Sequence, residues 1–326
     1  MSMRVALHDG DGAGTGFPNL ALMKISAYHK GRGDSVEWFS ALNKYGRTYS
    51  SKVFTFTPRD PYLPADAVLG GTGYGLFGEL PEEIECCAPD YSLYPGFPHA
   101  LGFITRGCIR ACPWCIVPAK EGGIRFSRSA GDITGDRRSA VFMDNNFLAW
   151  GGHYDELRAI IRAGTAVDFN QGLDARLVDV VNAPLLAKVR WIKYARFSCD
   201  TIGMLGYVAN AVRELRTHGY HGDMLCHVLV RGIGEAHEVC ESLRKMGVSP
   251  FAQAYIDYSG EDRRTREQRD FCRWVNHKAI FKSVRWKDYK SNRKGSRDGR
   301  QKGEGAADGL ADGGAAGLPE EALLQV

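Results

Sequence analysis

Cys108, Cys112 and Cys115 stand in the run Cys108-Ile109-Arg110-Ala111-Cys112-Pro113-Trp114-Cys115, spaced C-x3-C-x2-C just after the apolar stretch Leu101-Gly102-Phe103-Ile104. Three thiolates on one short loop can hold three irons of a [4Fe–4S] cube. The fourth iron, normally held by a further cysteine, is then left for an outside ligand, and chemistry can happen there. A structural zinc site asks for four ligands, usually in paired C-x2-C spacing, and no second C-x2-C or neighbouring His pair follows this loop. Disulfides fit the total poorly, because nine cysteines is an odd number and the opening residues show no signal-peptide pattern.

The loop, with an aromatic residue before its last cysteine and a strand-like segment before its first, resembles the signature of the radical S-adenosylmethionine (SAM) superfamily. More narrowly, Pro18 to Lys24, Ser51 to Pro58 and Asn170 to Leu177 are similar to a subgroup of that superfamily, a resemblance that runs from about Met3 to about Tyr289 and brings no substrate with it. The resemblance implies that the amino and carboxylate groups of SAM chelate the open iron. An electron from the reduced cluster then breaks the sulfonium, giving methionine and a 5′-deoxyadenosyl radical that abstracts hydrogen from a substrate. The cofactor brings the reactivity, and the protein brings position and exclusion of water. A reductant such as flavodoxin or ferredoxin is the implied partner, and SAM is either consumed or regenerated.

The elements that must carry this loop read as α/β. Arg4 to His8 is a short buried strand, an apolar helical stripe runs from Leu20 to Tyr28, and strands follow at Val36 to Phe39 and Lys52 to Phe56. This β-α-β beginning suggests a small Rossmann-like accessory domain over residues 1–98, closing in a turn-rich connector from Gly70 to Gly96. From residue 99 to 290, strands at Leu101–Ile104, Ala140–Met143, Ala166–Phe169, Trp191–Ala195, Cys226–Val230 and Phe251–Tyr255 alternate with helices near 153–163, 178–188, 205–217, 235–246 and 265–277. Six β/α units with right-handed crossovers, together with the resemblance, imply a partial (β/α)6 TIM-type barrel. Residues 291–326 hold few large apolar side chains and are expected to form a disordered tail.

Active groups of such barrels gather at the carboxyl ends of the strands. That rule selects Asp144, Asn145 and Asn146 after the second strand and Gln171, Asp174 and Arg176 after the third. Ser198 and Asp200 follow the fourth, Arg231, Gly232, Gly234 and Glu235 the fifth, and Asp257 and Tyr258 the sixth. The resemblance implies that Asp144 to Asn146 stand where the superfamily receives the methionyl amine, and that Trp114 and the Gly232 to Glu235 turn border adenine. Each polar residue can equally be a helix cap or turn. Lys120 and Arg125 are further cations past the cluster loop, and Cys199 is the one cysteine placed for a methyl-transfer role, although a buried structural thiol explains it as well.

Glycines at 10, 12, 14 and 16 miss the G-x-G-x-x-G register, and His8-Asp9-Gly10 lacks the D-x-H-x-x-G pattern of a cobalamin loop, so neither a dinucleotide nor cobalamin is expected. Cys86 and Cys87 are read as incidental, since neighbouring cysteines do not readily chelate one metal. With 42 Lys and Arg against 38 Asp and Glu, the charge of +4 does not announce a nucleic-acid partner. A basic stretch from Arg263 to Lys302, interleaved with Trp274, Phe281, Trp286 and Tyr289, keeps nucleic acid open as a substrate, although a solvated helix face with a basic tail explains it too. No run of eighteen apolar residues is present, so a chain that spans no membrane and works in the cytoplasm is expected.

Overall fold

A computed structural model describes residues 2–12, 17–257 and 263–290. Part of the glycine-rich loop, Tyr258 and the expected tail from Ser291 lie outside the described residues. The chain is mixed α/β, built on parallel sheets.

The first sheet contains β1 (Arg4–Asp9), β2 (Ser35–Trp38), β3 (Arg47–Ser51) and β4 (Val68–Gly70), with α1 (Leu20–Gly31) crossing from β1 to β2. Its order is β2-β1-β3-β4, all parallel, with Val5 opposite Val36, Leu7 opposite Tyr49 and Ser50 opposite Leu69. Asn19 starts α1 by accepting the Leu22 N–H on its side chain, so the helix begins just beyond the strand ends.

One expectation fails in this unit. Lys52 to Phe56 is not a strand: the third strand lies just before it, and the Val53 and Phe54 N–H groups are taken by the Asp11 carboxylate instead of a neighbouring strand. A strand not marked in the sequence, β4, ends where the turn-rich stretch from Gly70 to Gly96 begins, and that stretch holds the short α2 (Glu82–Glu85).

The second part begins with β5 (Ala100–Gly102) and a two-stranded antiparallel hairpin, β6 (Thr105–Arg106) and β7 (Arg125–Phe126), that encloses the cysteine loop and the single turn α3 (Val117–Lys120). Then follow α4 (Ala130–Thr134), β8 (Ser139–Phe142), α5 (His153–Ala163), β9 (Ala166–Phe169), α6 (Ala183–Lys188), β10 (Arg190–Trp191) and β11 (Ala195–Ser198). The chain continues through α7 (Leu205–Thr217), β12 (Met224–Val230), α8 (Ile233–Lys245), β13 (Ser249–Ala254), α9 (Arg266–Asn276) and α10 (Lys278–Ser283).

The strands pair in parallel as β10-β9-β8-β5 and β11-β12-β13. An isolated parallel bridge, Leu173 to Phe197, joins the segment after β9 to β11, with the Leu173 N–H donating to the Arg196 carbonyl at 2.8 Å. The strand expected at Trp191–Ala195 is therefore two strands. β10 is held by β9 and β11 by β12, and the chain changes partner between Ile192 and Tyr194.

Side chains alternate along each strand, and the two faces have different fates. On β12, Cys226, Val228 and Val230 join the large helix-side core with Phe142, Phe169 and Phe197, while His227 and Leu229 face a cavity. Val141 on β8 and Met143 just after it pack with Leu101, Phe103, Phe17, Leu20 and Met23, so α1 seals one end of the concave side. The opposite face of α1 serves the first sheet, where Leu22 and Ile25 join Val5 and Leu7. No helix among the described residues is long and apolar enough to cross a membrane.

The aromatic residues of the basic stretch are spent on packing: Phe271 and Trp274 are fully buried, Phe281 is buried, and Trp286 and Tyr289 pack against them. The Trp274 indole donates to the Val284 carbonyl. These rings form the lid of the helix-side core over β13 and are not laid out as a stacking surface.

Candidate functional site

The cysteine loop is positioned by its hairpin. Gly107 sits at φ +80°, where a side chain is strained, and a Cβ there would come within 2.2 Å of the Gly123 carbonyl, so glycine is required. The Cys108 N–H donates to the Gly122 carbonyl. Below the loop, buried Glu121 accepts the Gly107 N–H at 2.8 Å and the Asn145 side-chain amide at 2.8 Å, and pairs with Arg106 at 3.0 Å. Glu121 thus ties the hairpin to the end of β8. Its only sequence signal was its place six residues after Cys115, a position that marks no chemistry by itself.

All three cysteines of the loop line one cavity of about 270 Å³. Asn145, Asn146, Gln171, Asp174, Arg176, Ser198 and Asp200, from the ends of β8, β9 and β11, share its wall. Its roof and flat sides come from Trp114, Met204, Tyr255 and Ile256. Among the strand-end residues singled out from the sequence, these are therefore brought together.

Others are placed elsewhere. Asp144 is buried beneath the wall, where it accepts the Ile104 and Thr105 N–H groups and the Thr105 hydroxyl, fastening β8 to the chain leaving β5. Burial pushes its carboxyl up to about 7, against those hydrogen bonds. Gly232 is the residue before α8 and Gly234 lies in its first turn; neither lines the cavity, nor does Glu235, which accepts the Ile202 N–H and pairs with Arg231. Arg231 in turn lies 3.9 Å over the Trp114 ring, so this turn acts on the cavity through Trp114. Cys199 is fully buried in the helix-side core and does not line the cavity.

The electrostatics centre on Asp174. Its carboxylate takes Arg110 Nε at 3.0 Å, Arg176 Nε at 2.6 Å and Arg176 Nη2 at 3.1 Å, and it caps the short turn of residues 175–177. Burial works to raise this carboxyl, and the two guanidiniums outweigh it and hold it below its ordinary value. Asn146 donates both to Asp174 and to Cys108 Sγ, the latter at 3.3 Å, and the Arg110 N–H reaches the same sulfur at 3.3 Å. Burial pushes the Cys112 thiol up while Arg176 draws it down. Burial likewise raises the Asp200 carboxyl, against the Leu229 N–H that it accepts.

The donor set fits an iron–sulfur cluster. The loop's three thiols are free of disulfides, share a cavity, and one already receives two N–H donors of the kind that tune cluster sulfur. Among the described residues no group of three or more His, Cys, Asp or Glu side chains is gathered around a point as a single ion requires.

The cavity floor holds a residue that carried no sequence signal. His227 is 4% exposed, lines the cavity, and has both ring nitrogens without a hydrogen-bond partner. Burial, with the nearby Arg196 guanidinium, pushes its imidazole down to about 3. Arg196 itself is fixed by Asp168 at 2.6 Å. The side-chain oxygen of Asn146 is also buried and unpartnered. A cavity that is ringed by thiols, cations and unsatisfied polar atoms is built to receive a polar ligand.

No protein-family model and no curated protein matches this chain.

Proposed function

We propose that the chain is a radical SAM enzyme, its second part a partial (β/α)6 barrel of β5, β8, β9, β11, β12 and β13 and its first part a Rossmann-like unit. The observation that carries this reading is the convergence of Cys108, Cys112 and Cys115 on one cavity with polar groups from the carboxyl ends of three parallel strands. Cys108, Cys112 and Cys115 would hold a [4Fe–4S] cluster, and Asn146, Gln171, Asp174, Arg176 and Asp200 would hold SAM. When bound, the reduced cluster supplies the electron that splits SAM into methionine and a 5′-deoxyadenosyl radical.

The chain's own residues do the rest. Arg110 and Arg176 are fixed on Asp174 and offer their remaining N–H groups to a carboxylate. Asn146 and the Arg110 N–H donate to Cys108 sulfur, which stabilises negative charge there. Trp114, Met204 and Ile256 give a flat apolar wall suited to a purine and keep water from the reacting atoms. The electron donor is a small cytoplasmic protein of the flavodoxin or ferredoxin kind.

The test is anaerobic reconstitution with iron and sulfide, reduction with dithionite and addition of SAM. Release of 5′-deoxyadenosine, lost in Cys108→Ala, Cys112→Ala and Cys115→Ala, is the expected result. A reducible cluster that neither changes its paramagnetic spectrum nor turns over with SAM would instead mean a non-catalytic electron-transfer or redox-sensing protein.

A further inference from the structure

A second cavity, of about 630 Å³, opens where the first sheet meets the cysteine hairpin. It lies outside the carboxyl ends of β1, β3 and β4, at Asp9, Ser51 and Gly70, and against the start of α1 at Pro18 and Asn19. In an open parallel sheet, the crevice outside the carboxyl ends, where the strand order turns back on itself, is the ordinary place for a ligand. Here the order β2-β1-β3-β4 turns between β1 and β3. The volume is that of a small-molecule site.

The two cavities meet, since Val53, Thr72 and Lys120 line both. The proposed cluster and SAM fill a cavity of about 270 Å³, so a substrate has to approach from the side, and this shared wall is the opening it would use. The wall carries positive charge. Among the described residues Lys120 has no ion pair or side-chain hydrogen bond, and Arg106, although paired with Glu121 through Nη2, keeps a buried Nε without a partner; both line the larger cavity. Burial, joined by repulsion from Arg106, lowers the Lys120 ammonium below its ordinary value, against the pull of Glu121. Glu121 offsets only one of these two positive charges, so an anion that reaches Lys120 and the free Arg106 Nε meets a site of net positive charge. Phe54, Leu76, Leu80 and Phe103 give the chamber an apolar and aromatic part, and of its carboxylates Glu85 is paired with Lys24, Glu79 with Arg125, and Asp11 accepts the Val53 and Phe54 N–H groups.

We infer that this second cavity is the substrate chamber, and that it takes a small organic anion with an apolar body, its charged end between Lys120 and Arg106 and directed at the cluster cavity. The substrate role rests on the radical SAM reading; binding of such an anion does not. Carboxylate, sulfonate and phosphate monoesters share the required chemistry.

The full-length protein is titrated with 8-anilinonaphthalene-1-sulfonate, an anion on an aromatic body, and with uncharged N-phenyl-1-naphthylamine, which keeps the body and lacks the charge. Saturable binding of the sulfonate at one site is expected, and its absence overturns the inference. Lys120→Met should weaken the sulfonate about ten-fold, the cost of one charge-assisted hydrogen bond, and leave the neutral probe unchanged. Equal weakening of both probes, or of neither, removes Lys120 from the site. A Cβ at Gly70, on the chamber wall, would meet nothing within 4 Å, so Gly70→Phe takes up chamber volume without a clash at the backbone. It should exclude both probes, and unchanged binding would show that the chamber is not where they bind. The titrations are repeated on Cys108→Ser protein without a cluster. Binding that persists while SAM cleavage fails in the wild type refutes the radical reading alone, whereas cleavage without probe binding refutes the chamber alone.

Discussion

His227 gives a direct reading of the cavity floor through acid stability. Its imidazole is pushed down to about 3 by burial and by Arg196, from an ordinary 6.5, so the folded protein keeps it neutral where the unfolded chain protonates it. The unfolded state therefore binds the extra proton between those values, and this residue costs stability progressively as pH falls below 6.5. At 1.36 kcal/mol per unit, the loss at pH 5 is about 2 kcal/mol. Arg196, Phe251 and the Asn170 backbone face the ring, with Arg196 held by Asp168, and no carboxylate among them is placed to hold an imidazolium. The total curve will not show this loss, because buried carboxyls with raised pKa values, Asp144, Asp9 and Asp200, pull the other way. Asp144 is raised to about 7 and Asp9 to about 6, both chiefly by burial, so their buried charge is relieved as pH falls. The isolating quantity is the difference between wild type and His227→Gln, measured anaerobically by urea unfolding and tryptophan fluorescence from pH 7.5 to 5. The stability of wild type relative to the variant should drop by about 2 kcal/mol over that interval. A difference that stays flat within about 0.5 kcal/mol would show that the ring is protonated in the fold, and the account of the cavity floor would be wrong.

Two further substitutions test the loop and the charge centre. Gly107→Ala forces a side chain into a left-handed backbone and onto the Gly123 carbonyl; it should cost about 2 kcal/mol or more in unfolding free energy and sharply lower iron retained after reconstitution, and full iron at an unchanged melting temperature would refute the account of the hairpin. Asp174→Asn leaves Arg110 and Arg176 without their carboxylate; because both guanidiniums are about a quarter to a third exposed, the loss should be a modest ~1–2 kcal/mol at pH 7. Since the Asp174 carboxyl is held below its ordinary value, its contribution is present above about 3.8 and lost as pH falls further, so wild type and variant should converge in strong acid; parallel curves would contradict the pairing.

The cysteine loop, the helices at 153–163 and 205–217 and the strand at 166–169 were legible because each is set by local pattern: thiol spacing, an apolar stripe of helical period, a short run with Val167 and Phe169 just after a helix-ending glycine. Lys52 to Phe56 has the same pattern and is not a strand, because Asp11, over forty residues away, takes its N–H groups. Trp191 to Ala195 likewise looks continuous, and only its two different neighbours, β9 and β12, divide it. For the site, the strand-end rule found the residues that line the cavity, yet it could not separate Asn146 from Asp144 two positions earlier. His227 escaped the rule because it lies inside a strand, on the concave face, where an isolated histidine in an apolar run looks like core.

The hydrogen bonds around the cavity make three distant segments one mechanical piece. Glu121 binds the Gly107 N–H, Arg106 and Asn145; Asn146, the next residue, binds Cys108 sulfur and Asp174; and Asp174 holds Arg110 of the loop and Arg176 beyond β9. The thiols are thus located by carboxylates on both sides and not by the eight-residue loop alone, which is flanked by a two-residue strand and one turn of helix. A short loop fixed this way can keep its sulfur positions while Ile109 and Ala111 stay at the surface. It follows that weakening either carboxylate should be felt at the sulfurs: in Asp174→Asn the Cys108 environment changes without any substitution in the loop. A shift in the paramagnetic spectrum of the reconstituted protein, with iron content preserved, is the expected mark of that coupling, and a spectrum identical to wild type would show that the loop holds its geometry unaided.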